Sequence, residues 1–79
     1  MAMVQAFVLI QAAVGMASRV GQAVSAIQGV RSTDIVTGPY DVVARVEAAS
    51  IDALGRLVVS KIQTVEGITR TLTCPVVRL

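Results

Sequence analysis

The chain has 79 residues, 54% of them hydrophobic, which is enough for one small domain. The core of a domain of this size is barely large enough to make it stable on its own. Its seven basic and five acidic residues leave a net charge of +2 and are spread along the sequence, so we expect no direct DNA binding. Cys74 is the only cysteine and histidine is absent, which excludes an internal disulfide and the usual metal and nucleophile–base sites. We therefore expect no metal and no cofactor, and a reducing cytoplasm as the location.

The first half of the chain predicts a strand followed by a helix. Val4 to Ala12 alternates between two faces, one formed by Val4, Ala6, Val8 and Ile10 and the other by Phe7 and Leu9 between Gln5 and Gln11. No stretch approaches the roughly 20 apolar residues of a membrane span, and we expect no signal peptide. From Gly15 the apolar spacing becomes helical, through Met16, Val20, Ala23, Val24 and Ile27, and Gly29 is predicted to end this helix.

The second half repeats this order. Val30 to Val36 predicts a strand, and its irregular pattern indicates a bulge or an exposed edge. A Gly-Pro turn leads to a strand beginning at Val42, and Ser50 is the expected N-cap of a second helix with Asp52 in its first turn. The apolar stripe of that helix runs through Ile51, Leu54, Val58, Ile62 and Val65. Gly67 ends it, and Ile68 to Val77 forms a last strand, placed at a sheet edge by Pro75.

The two halves match when one is shifted by 38 positions, so that Val4 falls on Val42, Val20 on Val58 and Gly29 on Gly67. Two βαβ units in tandem give βαββαβ, a ferredoxin-like α+β fold with a four-stranded antiparallel sheet. Because βαβ crossovers are right-handed, both helices should cover one face of this sheet. We expect residues 1–79 to form this single domain.

The opposite face of the sheet is then left without a helix. We predict that it carries Phe7, Leu9, Val43 and Ile35 among Gln5, Gln11, Arg31, Thr33, Arg45, Thr69, Thr71 and Thr73. An apolar patch on so small a protein indicates an interface. We therefore expect two chains to pack sheet against sheet through Phe7, Leu9, Val43 and Arg45.

The run Val36-Thr37-Gly38-Pro39-Tyr40-Asp41-Val42-Val43 resembles the Gly-x-Tyr-Asp hairpin of Lrp/AsnC (feast/famine) transcription regulators. It is followed at family-like spacing by Leu57-Val58-Val59, by Val65-Glu66-Gly67-Ile68 and by Thr69-Arg70-Thr71-Leu72-Thr73. The resemblance extends from Val4 to Val77 and matches the C-terminal effector-binding domain of the family, also called the RAM domain. Only Met1 to Met3 precede the first predicted strand, so we expect a stand-alone effector-binding domain without the family's helix-turn-helix domain.

The resemblance implies a non-enzymatic module that dimerises through its sheets and assembles into tetramers, octamers or larger rings. It also implies a small effector, expected to be an amino acid, bound between dimers, and an influence on full-length Lrp/AsnC relatives. Gly38 would admit close approach of the ligand, Asp41 would orient its α-ammonium, and Tyr40 would wall the pocket. Apolar contacts would come from Ile35, Ile51 and Leu54, and hydroxyl donors from Thr71 and Thr73.

Each of these residues also has a purely structural interpretation. Asp41 could cap the hairpin, the aliphatic residues could be core, and the threonines could simply favour strands. Two other functions remain open, because fold does not determine function. One is a small dimeric α/β-barrel enzyme, a monooxygenase or an isomerase, although the carboxylates form no paired set. The other is a purely structural assembly subunit.

Overall fold

The computed structural model describes residues 3–78; the first two residues and the last, which the predicted domain includes, lie outside them. The order of elements is βαββαβ, with a short π-helical turn after the second helix. The bounds are β1 (Val4–Ala12), α1 (Ala17–Ser25), β2 (Val30–Ile35), β3 (Val42–Ala48), α2 (Ile51–Leu57), the π turn (Val58–Ile62) and β4 (Ile68–Pro75). No helix within residues 3–78 is long and apolar enough to cross a membrane.

The four strands form one antiparallel sheet in the order β2-β3-β1-β4, which confirms the predicted ferredoxin-like fold. The central pair, β1 and β3, has the regular alternation that its sequence predicts. Both helices pack on the same face of the sheet, because their buried residues join one cluster with the buried residues of these strands. The cluster consists of Ala6, Val8, Ile10, Val20, Val24, Val42, Ala44, Val46, Ala48, Leu54, Val58 and Ile62.

Both helices are shorter than the apolar periodicity predicts. Helix α1 ends at Ser25, where the backbone N–H groups of Ala26 and Ile27 both donate to the carbonyl oxygen of Val24 and tighten the last turn. Gly29 lies four residues beyond this end, with φ of +100°, and closes the turn into β2 rather than capping the helix. Its carbonyl oxygen accepts a hydrogen bond of 2.8 Å from the backbone N–H of Glu47 on β3.

The second helix begins as predicted and then changes its winding. The hydroxyl of Ser50 accepts a hydrogen bond of 3.1 Å from the backbone N–H of Ala53, and Asp52 lies in the first turn. Beyond Leu57 the chain forms the π turn, closed by a 2.8 Å bond from the N–H of Gln63 to the carbonyl of Val58, five residues earlier. The wider turn keeps Val58 and Ile62 buried on the sheet.

The edge strand β2 contains the expected bulge. Val30 pairs with Val46 and Ser32 with Arg45, so Arg31 is the extra residue. After the bulge, Thr33 pairs with Ala44 and Ile35 with Val42, both of which face the helices. The prediction that Ile35 and Thr33 lie on the open face was therefore wrong, because the bulge changes which side chains point to each side.

The other edge strand, β4, also places its side chains differently from the prediction. Thr71 pairs with Ile10 and Thr73 with Val8, so both threonines lie on the helix side, not on the open face. Leu72 pairs with Leu9 and takes the open-face position instead. Pro75 is at the sheet edge, as its missing N–H requires. The threonines were misplaced because strand pairing, which short-range alternation does not reveal, sets the face of an edge strand.

Candidate effector site and open sheet face

The loop of residues 36–41 joins β2 to β3 and carries Gly38, Tyr40 and Asp41, which are predicted to bind the effector. Gly38 has φ of +116°, and a Cβ atom built on it would meet nothing within 4 Å. Glycine is therefore needed here for its backbone conformation and not for lack of space. The space in front of Gly38 is open, so a ligand could come close to the backbone there.

Asp41 fastens this loop to the end of the central strand β1. Its carboxylate oxygen Oδ2 accepts a hydrogen bond of 2.8 Å from the backbone N–H of Ala12, and its own N–H donates at 2.9 Å to the carbonyl of Ile10. The carbonyl of Asp41 in turn accepts a 2.9 Å bond from the N–H of Val36, which closes the loop. The side chain is half-buried, and its bond through Oδ2 leaves Oδ1 for another donor.

Three other predicted ligand residues, Ile35, Thr71 and Thr73, lie on the helix side of the two edge strands. Ile35 is exposed at the edge of β2 and lines a cavity of about 270 Å³ beside α1. Gly21 permits this packing, because a Cβ there would lie 2.8 Å from Cδ1 of Ile35. Thr71 lies across β1 from the loop, and its hydroxyl accepts a 2.8 Å hydrogen bond from the side-chain amide of Gln63. Thr73 is half-buried two positions further along β4.

Ile51 and Leu54 do not meet the loop within one chain. They follow the far end of β3, a strand of seven residues that spans roughly 20 Å. Leu54 is only 3% exposed and belongs to the core, so contact with an effector would require the core to open. Ile51 is exposed, and only a neighbouring chain could bring it to the loop of residues 36–41. Four surface cavities lie within residues 3–78, and none of the four is lined by Gly38, Tyr40 or Asp41.

The open face of the sheet has an apolar centre. Leu9 of β1 pairs with Val43 of β3 on one side and with Leu72 of β4 on the other. Phe7 pairs with Arg45, whose guanidinium carbon lies 5.7 Å from the ring centroid, within cation–π range. Phe7 is 39% exposed and Leu72 is 45% exposed, so this centre is covered by no element of its own chain.

A polar border surrounds one end of this apolar centre. The side-chain amide of Gln5 donates to Glu47 at 2.9 Å, and Arg31, the extra residue of the β2 bulge, lies 3.8 Å from the same carboxylate. Arg78 donates to the amide oxygen of Gln5 at 3.0 Å. An apolar centre with a polar rim is the usual anatomy of a protein interface.

The sequence did not reveal two residues that matter here. Ala12 supplies the N–H that holds Asp41, a contact between residues far apart in sequence, and nothing in its identity indicates this role. Leu72 completes the apolar centre, and its apolar side chain between two threonines was the available signal. Within residues 3–78, no group of three or more His, Cys, Asp and Glu side chains is arranged to hold a metal ion.

These features define the class of protein: a small ferredoxin-like α+β domain with one helix-covered sheet face, one open face and a tethered Gly-x-Tyr-Asp hairpin. The family model described as the Lrp/AsnC ligand binding domain matches residues 5–79. The chain therefore belongs to the Lrp/AsnC ligand-binding domain family, which confirms the resemblance seen in the sequence.

Known relatives and solved structures agree with this assignment. An uncharacterised HTH-type transcriptional regulator of Pyrococcus furiosus is 32% identical over 54 residues, which cover 68% of this chain and 36% of the regulator. The crystal structure of TTHA0845 from Thermus thermophilus is similar with a TM-score of 0.91 and 35% identity, over 98% of this chain and 96% of that chain. The feast or famine regulatory protein Rv3291c of M. tuberculosis, solved with L-methionine, has a TM-score of 0.79 and 26% identity, over 96% of this chain and 51% of that one.

The chain thus matches little more than a third of the curated regulator and about half of the methionine-bound one. In the methionine-bound structure, the matched half has the fold described above.

Proposed function

We propose that this domain binds an amino-acid effector at the loop of residues 36–41 and self-assembles through its open sheet face to modulate transcription regulators of its family. The observation that supports this most is the geometry of Asp41. One carboxylate oxygen is held by the N–H of Ala12, which leaves the other for a ligand, and the same loop has open space at Gly38.

The chemistry of this loop suits the two charged groups of an amino acid. The carboxylate of Asp41 would accept hydrogen bonds from the α-ammonium group, a charge-assisted interaction stronger than a neutral hydrogen bond. The exposed backbone around Gly38 would lie close enough to donate to the α-carboxylate. Tyr40, half-buried beside them, would form a wall of the pocket.

One solved relative supports an amino acid as the ligand. Rv3291c of M. tuberculosis was solved with L-methionine, and it shares the fold of this chain at 26% identity. An amino acid is therefore the effector we expect here. None of the four cavities described above is lined by this loop, so we expect a second chain to complete the pocket, and Ile51 of that neighbour is a candidate contact.

Assembly would begin at the apolar centre formed by Leu9, Val43, Leu72 and Phe7. Two such faces packed together would remove these side chains from water, each contributing about 25 cal/mol per Å² of buried apolar area. Arg45 and the polar border of Gln5 and Glu47 would then surround the contact. Such dimers would join into tetramers, octamers or larger rings.

We further propose that the domain acts as a separate module in the cytoplasm. TTHA0845 supports a separate module, since this chain covers 96% of that solved chain. The curated relatives are named HTH-type transcriptional regulators, and the module would act on such proteins by entering their assemblies or by competing for effector. Direct catalysis and direct DNA contact form no part of this proposal.

The test is thermal unfolding in the presence of each of the twenty amino acids. At a concentration ten times its dissociation constant, a specific effector raises the free energy of unfolding by about 1.4 kcal/mol. For a domain of this size, this raises the Tm by several degrees. Asp41→Asn keeps an oxygen for the Ala12 N–H and removes the charge, so it should fold normally and lose the response. Asp52→Asn is the matched control, because it removes an exposed carboxylate from the start of α2.

The proposal is wrong if no amino acid stabilises the wild-type domain, or if Asp41→Asn responds as the wild type does. Loss of the response in both Asp41→Asn and Asp52→Asn would also contradict it, because the effect would then follow net charge and not the loop.

A further inference from the structure

A groove of about 600 Å³ crosses the helix side of the molecule, away from both the loop of residues 36–41 and the open sheet face. Its apolar lining comes from Ile27, in the turn after α1, and from Ala53 and Leu57 of α2. All three side chains are partly buried and pack against the core. They therefore form a packed apolar floor. The volume of the groove above it lies in the range of small-molecule sites.

The polar lining of the groove is basic. Arg56 and Lys61 border it together with Ser60 and the amide of Gln28, and no acidic residue lines it. The ion pair found within residues 3–78 joins Arg31 to Glu47, so neither Arg56 nor Lys61 is matched by a carboxylate there. Asp52, one helical turn before Arg56, does not come within ion-pair distance of it. Two positive charges thus face an apolar groove without a counter-charge.

The π turn explains why both charges border one groove. Residues five apart in a regular α-helix point about 140° away from each other around the axis. The turn from Val58 to Ile62 winds more slowly, as its hydrogen bond from Gln63 to Val58 shows, and it brings Lys61 to the side of Arg56. π-Helical turns of this kind are rare and are often found at functional sites.

We propose that this groove is a second ligand site, which binds an organic monocarboxylate with an apolar chain. Arg56 and Lys61 bind the carboxylate, with Ser60 and Gln28 as additional hydrogen-bond donors. The apolar chain lies along Ile27, Ala53 and Leu57. The site is independent of the proposed amino-acid site, and it stays accessible when two chains pack through their open sheet faces because it lies on the opposite side.

Equilibrium dialysis with radiolabelled octanoate measures this binding directly. The wild-type domain should bind octanoate, and unlabelled octanoate should displace it. Acetate, which lacks the apolar chain, octylamine, which has the opposite charge, and inorganic phosphate should each fail to displace it at the same concentration. If phosphate or acetate displaced the label as effectively as octanoate does, the proposal would be overturned, because the apolar floor would then contribute nothing to binding.

Single variants locate the site. Arg56→Gln and Lys61→Gln should each weaken octanoate binding about threefold to tenfold, the range expected for one partly exposed charge-assisted contact. Arg19→Gln is the matched control, because Arg19 is an exposed cation of α1 outside the groove, and it should bind as the wild type does. If all three variants bound octanoate equally weakly, the proposed site would be wrong, because the loss would then follow the net charge of the domain.

A fourth variant separates this site from the proposed effector site. Asp41→Asn should leave octanoate binding unchanged, whether or not it alters the response to amino acids. If Asp41→Asn abolished octanoate binding, the groove would be ruled out as an independent site. Failure of the amino-acid test alone would leave the groove proposal standing.

Discussion

Asp41 and Ala12 are joined by a hydrogen bond of 2.8 Å from the backbone N–H of Ala12 to the carboxylate oxygen Oδ2 of Asp41. The bond links the loop between β2 and β3 to the end of the central strand β1, beside the point where the pairing of β1 with β4 becomes irregular. The same carboxylate is the one proposed to bind an effector. Under that proposal, loop position and ligand binding depend on one side chain.

The first prediction separates these two roles by stability. Asp41→Ala leaves the N–H of Ala12 without its partner and should lower the free energy of unfolding by about 1 kcal/mol or more. Asp41→Asn retains an acceptor and should stay closer to the wild type. Urea unfolding at one fixed protein concentration measures both. An equal loss of unfolding free energy in Asp41→Ala and Asp41→Asn would show that the charge, and not the hydrogen bond, holds the loop.

The second prediction concerns Gly29 and Gly38, which both have positive φ but differ in their surroundings. Alanine at either position has an unfavourable backbone conformation, at a cost of about 1 kcal/mol or more. At Gly29, the added Cβ would also lie 3.2 Å from the carbonyl oxygen of Glu47 and 3.1 Å from Cδ2 of Leu57.

Gly29→Ala should therefore destabilise the domain clearly more than Gly38→Ala, because backbone atoms cannot move aside as a flexible side chain can. The difference is measured by urea unfolding of the two variants side by side. Equal destabilisation would mean that the contact with Glu47 relaxes at no cost.

The fold could be predicted from the sequence because the central strands keep a strict alternation. Val8 and Ile10 of β1, and Val42 and Val46 of β3, are buried in the positions that a two-residue period gives them. The edge strands could not be assigned in this way. An extra residue at Arg31 in β2, and the pairing of Leu72 with Leu9 in β4, decide which side chains face the helices.

The spacing of apolar residues in the second helical segment carries a signal for the π turn. Leu54, Val58 and Ile62 follow one another at intervals of four, and such a row drifts around an ordinary helix by about 40° at each step. A slower-winding turn keeps Val58 and Ile62 buried. The role of Asp41 had a weaker signal: its turn context indicated a loop residue, but its partner Ala12 depends on how distant segments pack.

The third prediction tests the core and contrasts two isoleucines at the two ends of the second helical segment. Ile62 is fully buried, whereas Ile51 is 59% exposed. Ile62→Ala should lower the free energy of unfolding by about 2–5 kcal/mol through lost burial and a cavity. Ile51→Ala should change it by no more than about 0.5 kcal/mol in the isolated domain. A large loss from Ile51→Ala would indicate that Ile51 is buried in the assembly.

The last prediction concerns the open sheet face and the assembly proposed for it. Leu72→Lys places a charge in the apolar centre, next to Leu9, in a side chain that is already exposed in one chain. The single chain should therefore fold, but a contact between two such faces would have to bury an unpaired charge, which costs several kcal/mol. Sedimentation equilibrium at micromolar concentration should show the mass of the variant falling towards the 8.2 kDa of one chain.

Val59→Lys is the matched control, because Val59 is 61% exposed on the π turn and lies on the opposite side of the molecule. It adds the same charge and should leave the mass of the wild-type assembly unchanged. Circular dichroism checks that both variants keep their helices and strands. A folded Leu72→Lys variant that retains the full wild-type mass would place the interface elsewhere, and a wild-type monomer would remove the basis for a sheet-to-sheet dimer.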